Sequence, residues 1–141
     1  MRRTIYDESV IARLREGVHL KINHASLIER GLRYAGASLR YPFEPDLPVL
    51  FVGNKMFALF GRTGSAESVN LKTSPDEAWL QRETYAGSVL PGYHMNKRHW
   101  NTVVLDGTVP DEVVLQMLDD SYRLGVAKMT KKERAQIQPL K

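Results

Sequence analysis

Cysteine is absent from the 141 residues, which excludes a disulfide framework, a thiolate nucleophile, a cysteine-ligated zinc and an iron–sulfur cluster. Also missing is an apolar run long enough for a signal-peptide core or a spanning helix. The opening MRRTIYDESVIARLREG is charged throughout, so the expectation is a soluble, cytoplasmic protein without membrane contact. No glycine-rich phosphate loop follows a strand. No nucleophile stands beside a base: Ser74, Ser88 and Ser121 suit a helix cap, a loop and a small packing residue. Asp119 and Asp120 are adjacent on a helix and so point about 100° apart, which keeps them from sharing a proton. These absences argue against an enzyme. His94 and His99 are five residues apart, on opposite faces of a strand with no third ligand near them, so neither a metal nor a cofactor is expected.

What is present suffices for one core. Hydrophobic residues make up 43% of the chain, enough for a single domain over residues 1–141 without disulfides or metal. Residues 1–24 read as an appended helical extension, with Asp7 as N-cap, Val10, Ile11 and Leu14 on one side, and Gly17 as the stop. The formal net charge of +4 favours polyanionic partners, although acidic residues are interleaved along the whole chain.

Periodicity divides the rest. VHLKI alternates as a short strand would. Ser26 and Glu29 have capping-box spacing, and Leu27, Ile28, Leu32 and Ala35 share a helical face, predicting a helix over about 23–34. VLFVGNKMFALFGR holds two apolar runs about Gly53 and Asn54, the signature of a hairpin. In ESVNLKT, Val69 and Leu71 alternate with polar neighbours, as in a third strand exposed on one face. Ser74, Pro75 and Glu77 then open a helix over about 76–85. HWNTVVLDG predicts another strand, ending at the Asp106–Gly107 turn. Pro110 starts a long helix whose stripe of Val114, Met117, Leu118, Ser121, Leu124 and Gly125 would allow close approach to a sheet. The tail KMTKKERAQIQPLK is expected to fray. The order is helix, three strands, helix, one or two strands, helix: an α+β domain with an antiparallel sheet and helices packed on one face.

Several segments form an ordered set: YPF at 41–43, GNKMFALF at 53–60, VNLKTSP at 69–75, HMNKRHWNTVVLDG at 94–107 and LDDSYRL at 118–124. Together they resemble the MmcQ/YjbR-like family of small bacterial proteins, from about Ala25 to Lys128. The resemblance implies an α+β fold similar to type III secretion chaperones, with a double-wing motif, and a role in DNA binding. The first 24 residues fall outside it.

Two functions of different class follow. In the first, a basic rim made of Lys55, Arg62, Lys72, Lys97, Arg98 and His99 contacts DNA phosphates, and Trp100 or Tyr93 stacks on a base or sugar. Each residue also has a structural alternative: Trp100 as a sheet anchor, Lys55 and Arg62 as strand-edge protection, and Lys72 beside a helix start already capped by Ser74. In the second, an uncovered apolar sheet face serves a protein partner or a homodimer, as in a chaperone.

Overall fold

The computed structural model describes residues 22–92 and 95–137. The expected helix after Asp7, nearly all of VHLKI, and the Tyr93–His94 pair lie outside these residues.

Helix α1 spans His24–Gly31. Its N-cap is Asn23, whose side chain accepts from Ser26 N at 2.9 Å, while the Ser26 hydroxyl accepts from Asn23 N at 3.0 Å. The expected Ser26–Glu29 box is therefore displaced by three residues. Asn23 is the stronger cap, and Ser26 takes the reciprocal role that Glu or Gln fills more often. Leu32, expected on the buried face, lies past the helix end and is 43% exposed.

Four strands follow: β1 (Ala37–Arg40), β2 (Val49–Val52), β3 (Lys55–Thr63) and β4 (Ala66–Lys72). After α2 (Pro75–Thr84) come β5 (Val89–Pro91) and β6 (Trp100–Val104), and then α3 (Asp111–Ala127) and α4 (Lys131–Ile137). The six strands form one antiparallel sheet in the order β1-β2-β3-β4-β6-β5. The chain is thus α+β in the expected order, with one more strand, β1, before the hairpin. Both edges are short: β1 has four residues and ends in Arg40, and β5 has three and ends in Pro91.

Gly53 and Asn54 form the two-residue turn between β2 and β3, with Val52 opposite Lys55. Gly53 has φ 59°, in the region a side chain disfavours. One step further the pairing slips: Phe51 faces Met56 and Leu50 faces Ala58, so Phe57 is an extra residue in β3. Such a bulge breaks alternation and turns successive apolar side chains toward the same face.

The helices pack on one face of the sheet. Leu50, Val52, Phe57, Phe60, Val69, Leu71, Val89 and Val103 meet Leu27, Val114, Met117 and Leu118 in the main core. Each large side chain buried there contributes about 1.5–3 kcal/mol. Helix α3 lies close because Ser121 is fully buried and Gly125 has no side chain. A Cβ on Gly125 would meet Val52 at 3.0 Å. The Ser121 hydroxyl donates to Phe57 O at 2.6 Å and accepts from Lys72 N at 2.8 Å, joining α3 to two strands.

Asp119 and Asp120 serve separate contacts. Asp119 accepts from Arg30 Nε at 3.3 Å and Nη2 at 3.1 Å and from the Tyr34 hydroxyl, tying α1 to α3. Burial opposes its ionisation, but hydrogen bonds from Arg30 and Tyr34 outweigh that and hold its carboxyl below the ordinary value of 3.8. Asp120 pairs with Arg123 at 3.0 Å.

The tail departs from expectation. Residues Lys131–Ile137 are helical rather than frayed, because Thr130 and Glu133 form a reciprocal cap at 3.0 and 2.7 Å and Ile137 packs on the main core.

The opposite sheet face carries a smaller apolar cluster of Val49, Phe51, Leu59 and Trp100, closed by Leu47, Met56 and Met95 from strand and loop. The expected bare apolar face is thus partly covered, by the segments at 41–48 and 95–99. Among the described residues no helix is long and apolar enough to cross a membrane.

Candidate nucleic-acid interface

The basic candidates are placed by where their strands end. Lys55 begins β3, Lys72 ends β4, and Trp100, which opens β6, lies opposite Lys72 in the register. Thr73 N donates to His99 O at 2.7 Å, drawing the turn before β6 against the end of β4. Five of the six candidates, Lys55, Lys72, Lys97, Arg98 and His99, therefore occupy one end of the sheet. Arg62 does not. It sits seven residues along β3 from Lys55, about 23 Å away at strand rise, opposite Glu67, with its guanidinium donating to Ser65 O at 2.9 Å.

The turn carrying Lys97 and Arg98 is built from below. Asn96 Oδ1 accepts from Arg98 N at 2.9 Å, and Asn96 O accepts from His99 N at 3.0 Å. Arg82, on α2, donates to Lys97 O and to Trp100 O. Its Nε donates at 2.7 Å to Asn101 Oδ1, and the Asn101 amide donates to Ala78 O at 3.2 Å and Gln81 Oε1 at 3.0 Å. Asn101 is 1% exposed, a buried polar group satisfied on both ends. The turn's backbone is held by α2 while the Lys97 and Arg98 side chains stay exposed.

Lys72 is the most perturbed of the set. Its ammonium lies 5.1 Å from the centre of the Trp100 ring, a cation–π contact that anchors the side chain. Burial, then the like charges of Lys128 and Lys55, push its pKa below the ordinary 10.5. Among the described residues no ion pair joins Lys55, Lys72, Lys97, Arg98 or Lys128 to a carboxylate. Lys128, just past α3, was missed in the sequence because the basic tail was read as frayed. Arg82 and Asn101 were missed because their role appears only when α2 meets β6.

Trp100 is 6% exposed and packs in the smaller apolar cluster, so its ring is an anchor rather than a stacking surface. The start of α2 is closed to anions: Ser74 Oγ accepts from Glu77 N at 3.3 Å, and Asp76 and Glu77 place negative charge in the first turn. Among the described residues no group of three or more His, Asp or Glu side chains is placed to hold a metal ion.

The YjbR family model matches residues 32–124, which spans β1 through most of α3. The chain belongs to the YjbR family. Relatives include YbdF of Escherichia coli, 29% identical over 116 residues that cover 82% of this chain and 94% of YbdF. Escherichia coli YjbR is 37% identical over 83 residues, 59% of this chain and 70% of that protein. Among solved structures, protein DR2400 of Deinococcus radiodurans, which carries the DUF419 family-model domain, is 34% identical with a TM-score of 0.76, covering 82% of this chain and 87% of that one. A Pseudomonas syringae protein is 26% identical with a TM-score of 0.63, covering 74% of this chain and 99% of that one. The resemblance read from the sequence was to this family.

Proposed function

We propose that this YjbR-family chain is a cytoplasmic DNA-binding protein that acts by binding rather than catalysis, gripping phosphates at the basic end of its sheet. One observation supports this most: the Lys72 pKa is depressed first by burial and then by the like charges of Lys128 and Lys55, and although Glu133 lies within electrostatic reach of Lys55, no carboxylate among the described residues forms an ion pair with any of the three. Such a cluster raises the energy of the free protein and is relieved by a polyanion. Lys97 and Arg98, exposed on the ordered turn next to Lys72, extend the same surface.

The test is titration into labelled duplex DNA at low and near-physiological salt. Wild type should bind, and salt should weaken it steeply, because each neutralised phosphate releases condensed counterions. The Lys97→Ala/Arg98→Ala variant should lose affinity with its circular dichroism unchanged. Binding that is absent at low salt, or insensitive to salt, would sink the proposal.

A second reading, a protein-interaction module or homodimer using the open face, is favoured by Tyr41 and Phe43, which stand 52% and 58% exposed on the segment before β2. Sedimentation velocity of wild type and of Phe43→Ser tests it: a dimer lost in the variant supports this reading, and a monomer at all concentrations removes the homodimer.

A further inference from the structure

Between the two segments that cover the open sheet face lies a cleft of about 630 Å³, within the usual range for small-molecule sites. Leu59, Asn70, Thr102 and Leu90 lie side by side across its floor in the register of β3, β4, β6 and β5, and Gly61 and Ser68 form the next row. Phe43 and Leu47 wall one side, and Pro91 and Met95 the other. Alternation decides what faces inward. Val69 and Leu71 enter the main core, so Ser68 and Asn70 leave β4 on the cleft side. Arg62 borders the cleft but shares the side of Phe60, which is in the main core, and its guanidinium donates to Ser65 O at 2.9 Å. Among the described residues the cleft is therefore lined by uncharged side chains.

Three features mark this cleft as shaped for an occupant. Ser68 lines it and is only 3% exposed. Its carbonyl accepts from His24 Nε2 at 2.9 Å, but its hydroxyl has no hydrogen-bond partner among the described residues, which is a costly state for a buried polar group. Asn70 Oδ1 accepts from Thr102 Oγ1, which turns the Asn70 amide N–H groups elsewhere, and they too have no partner among the described residues. Gly61 stands directly opposite Ser68, in a strand interior where glycine weakens the sheet. A Cβ there would meet nothing within 4 Å, and its φ lies outside the positive range that demands glycine. Neither packing nor backbone conformation accounts for glycine here; its missing side chain keeps the floor beside Ser68 open.

We infer that this cleft binds an uncharged aromatic amide. The amide oxygen accepts from the Asn70 side chain, and the amide N–H donates to the Ser68 hydroxyl, so each unpartnered group meets its complement. The ring packs among Leu59, Phe43 and Met95, an aromatic and a thioether that both favour ring contacts. A charged ligand is disfavoured, because it would give up hydration against a floor that offers no opposite charge. This site stands whether or not the basic end binds DNA.

The probe is 2-naphthamide, followed by amide chemical-shift changes in ¹⁵N-labelled protein, with 2-naphthoate as the charged molecule of the same shape. Saturable shifts at the Gly61 and Ser68 backbone amides and the Asn70 side-chain amide are expected with naphthamide, and binding weaker by about tenfold or more with naphthoate. Ser68→Ala should weaken naphthamide binding about tenfold, as loss of a buried hydrogen bond does. The same variant should leave the thermal midpoint unchanged or raised, since it removes an unpaired hydroxyl; a hydroxyl serving the fold would lower it. Gly61→Val fills the floor with a residue suited to a strand and should abolish the shifts. Should Gly61→Val fail to fold, Ser68→Ala decides alone. Three results would overturn the assignment: naphthamide leaving Gly61, Ser68 and Asn70 unmoved, naphthoate binding as tightly, or the folded variants binding as wild type does.

Discussion

Each face of the sheet carries an apolar cluster, yet the two are closed by different means. On one, α3 lies directly on the strands because Ser121 and Gly125 keep its contact side small, and Phe57 is fully buried against the stacked pair of Tyr34 and Tyr122. On the other, Phe51 and Trp100 are covered by Leu47, Met56 and Met95 from strand and loop, with a cleft left beside them. A helix lid seals; a loop lid leaves room. Stability should accordingly reside on the helix face, and ligand and polyanion contacts on the loop-covered face and the adjacent basic end.

Substituting the same residue type on the two faces tests that division most strongly. Phe57→Ala should cost about 4 kcal/mol, near the middle of the range for a large core truncation, and Phe51→Ala about 2 kcal/mol because loop residues can collapse into the space. Urea denaturation of the two variants measures the difference, and equal costs would erase the distinction. Next in size is the combined Lys55→Ala/Lys72→Ala/Lys128→Ala variant. Its plot of log affinity for duplex DNA against log salt should flatten by about 0.9 for each phosphate that is no longer neutralised. An unchanged slope would move the interface away from this end.

Asp119→Asn probes the tie between α1 and α3 and should cost about 1–2 kcal/mol at neutral pH, discounted because the Arg30 side chain is 39% exposed. Since the folded carboxyl titrates below its ordinary 3.8, its contribution is complete above that value and is lost as pH falls through the lowered one. The wild-type and variant stabilities should therefore converge in acid, which thermal melts between neutral pH and pH about 3 would show. The smallest effect is expected from Arg62→Gln on DNA: affinity and salt slope should stay as in wild type, because Arg62 lies at the far end of β3. A weakened affinity there would extend the interface to that end.

Much of the fold is legible wherever a local rule acts alone. Ser74-Pro75 with Glu77 specified α2, Gly53-Asn54 the hairpin, and Pro110 the start of α3, each through backbone chemistry within a few residues. Legibility failed where a residue's role depends on distant partners. β1 alternates Ala37 and Leu39 with Ser38 and Arg40, but over only four residues of a half-exposed edge paired with β2 alone, too short a run to stand out. The bulge at Phe57 hid the two-faced character of β3. The Thr130–Glu133 cap was written in the sequence and overlooked because basic composition suggested fraying. For the basic candidates, charge alone could not separate Arg62 from the other five; that required the register of β3 against β4. Lys128 and Arg82 become functional candidates only through tertiary contact.

The short edges of the sheet restrict how copies of this chain can meet. At one margin β1 offers four residues and closes with a cation; at the other, β5 offers three, and Pro91 has no N–H to donate. Among the described residues both margins are poor templates for a further strand, which disfavours growth of the sheet from molecule to molecule. Assembly through the described part of the sheet would therefore draw on side chains on its faces more than on backbone pairing at its edges.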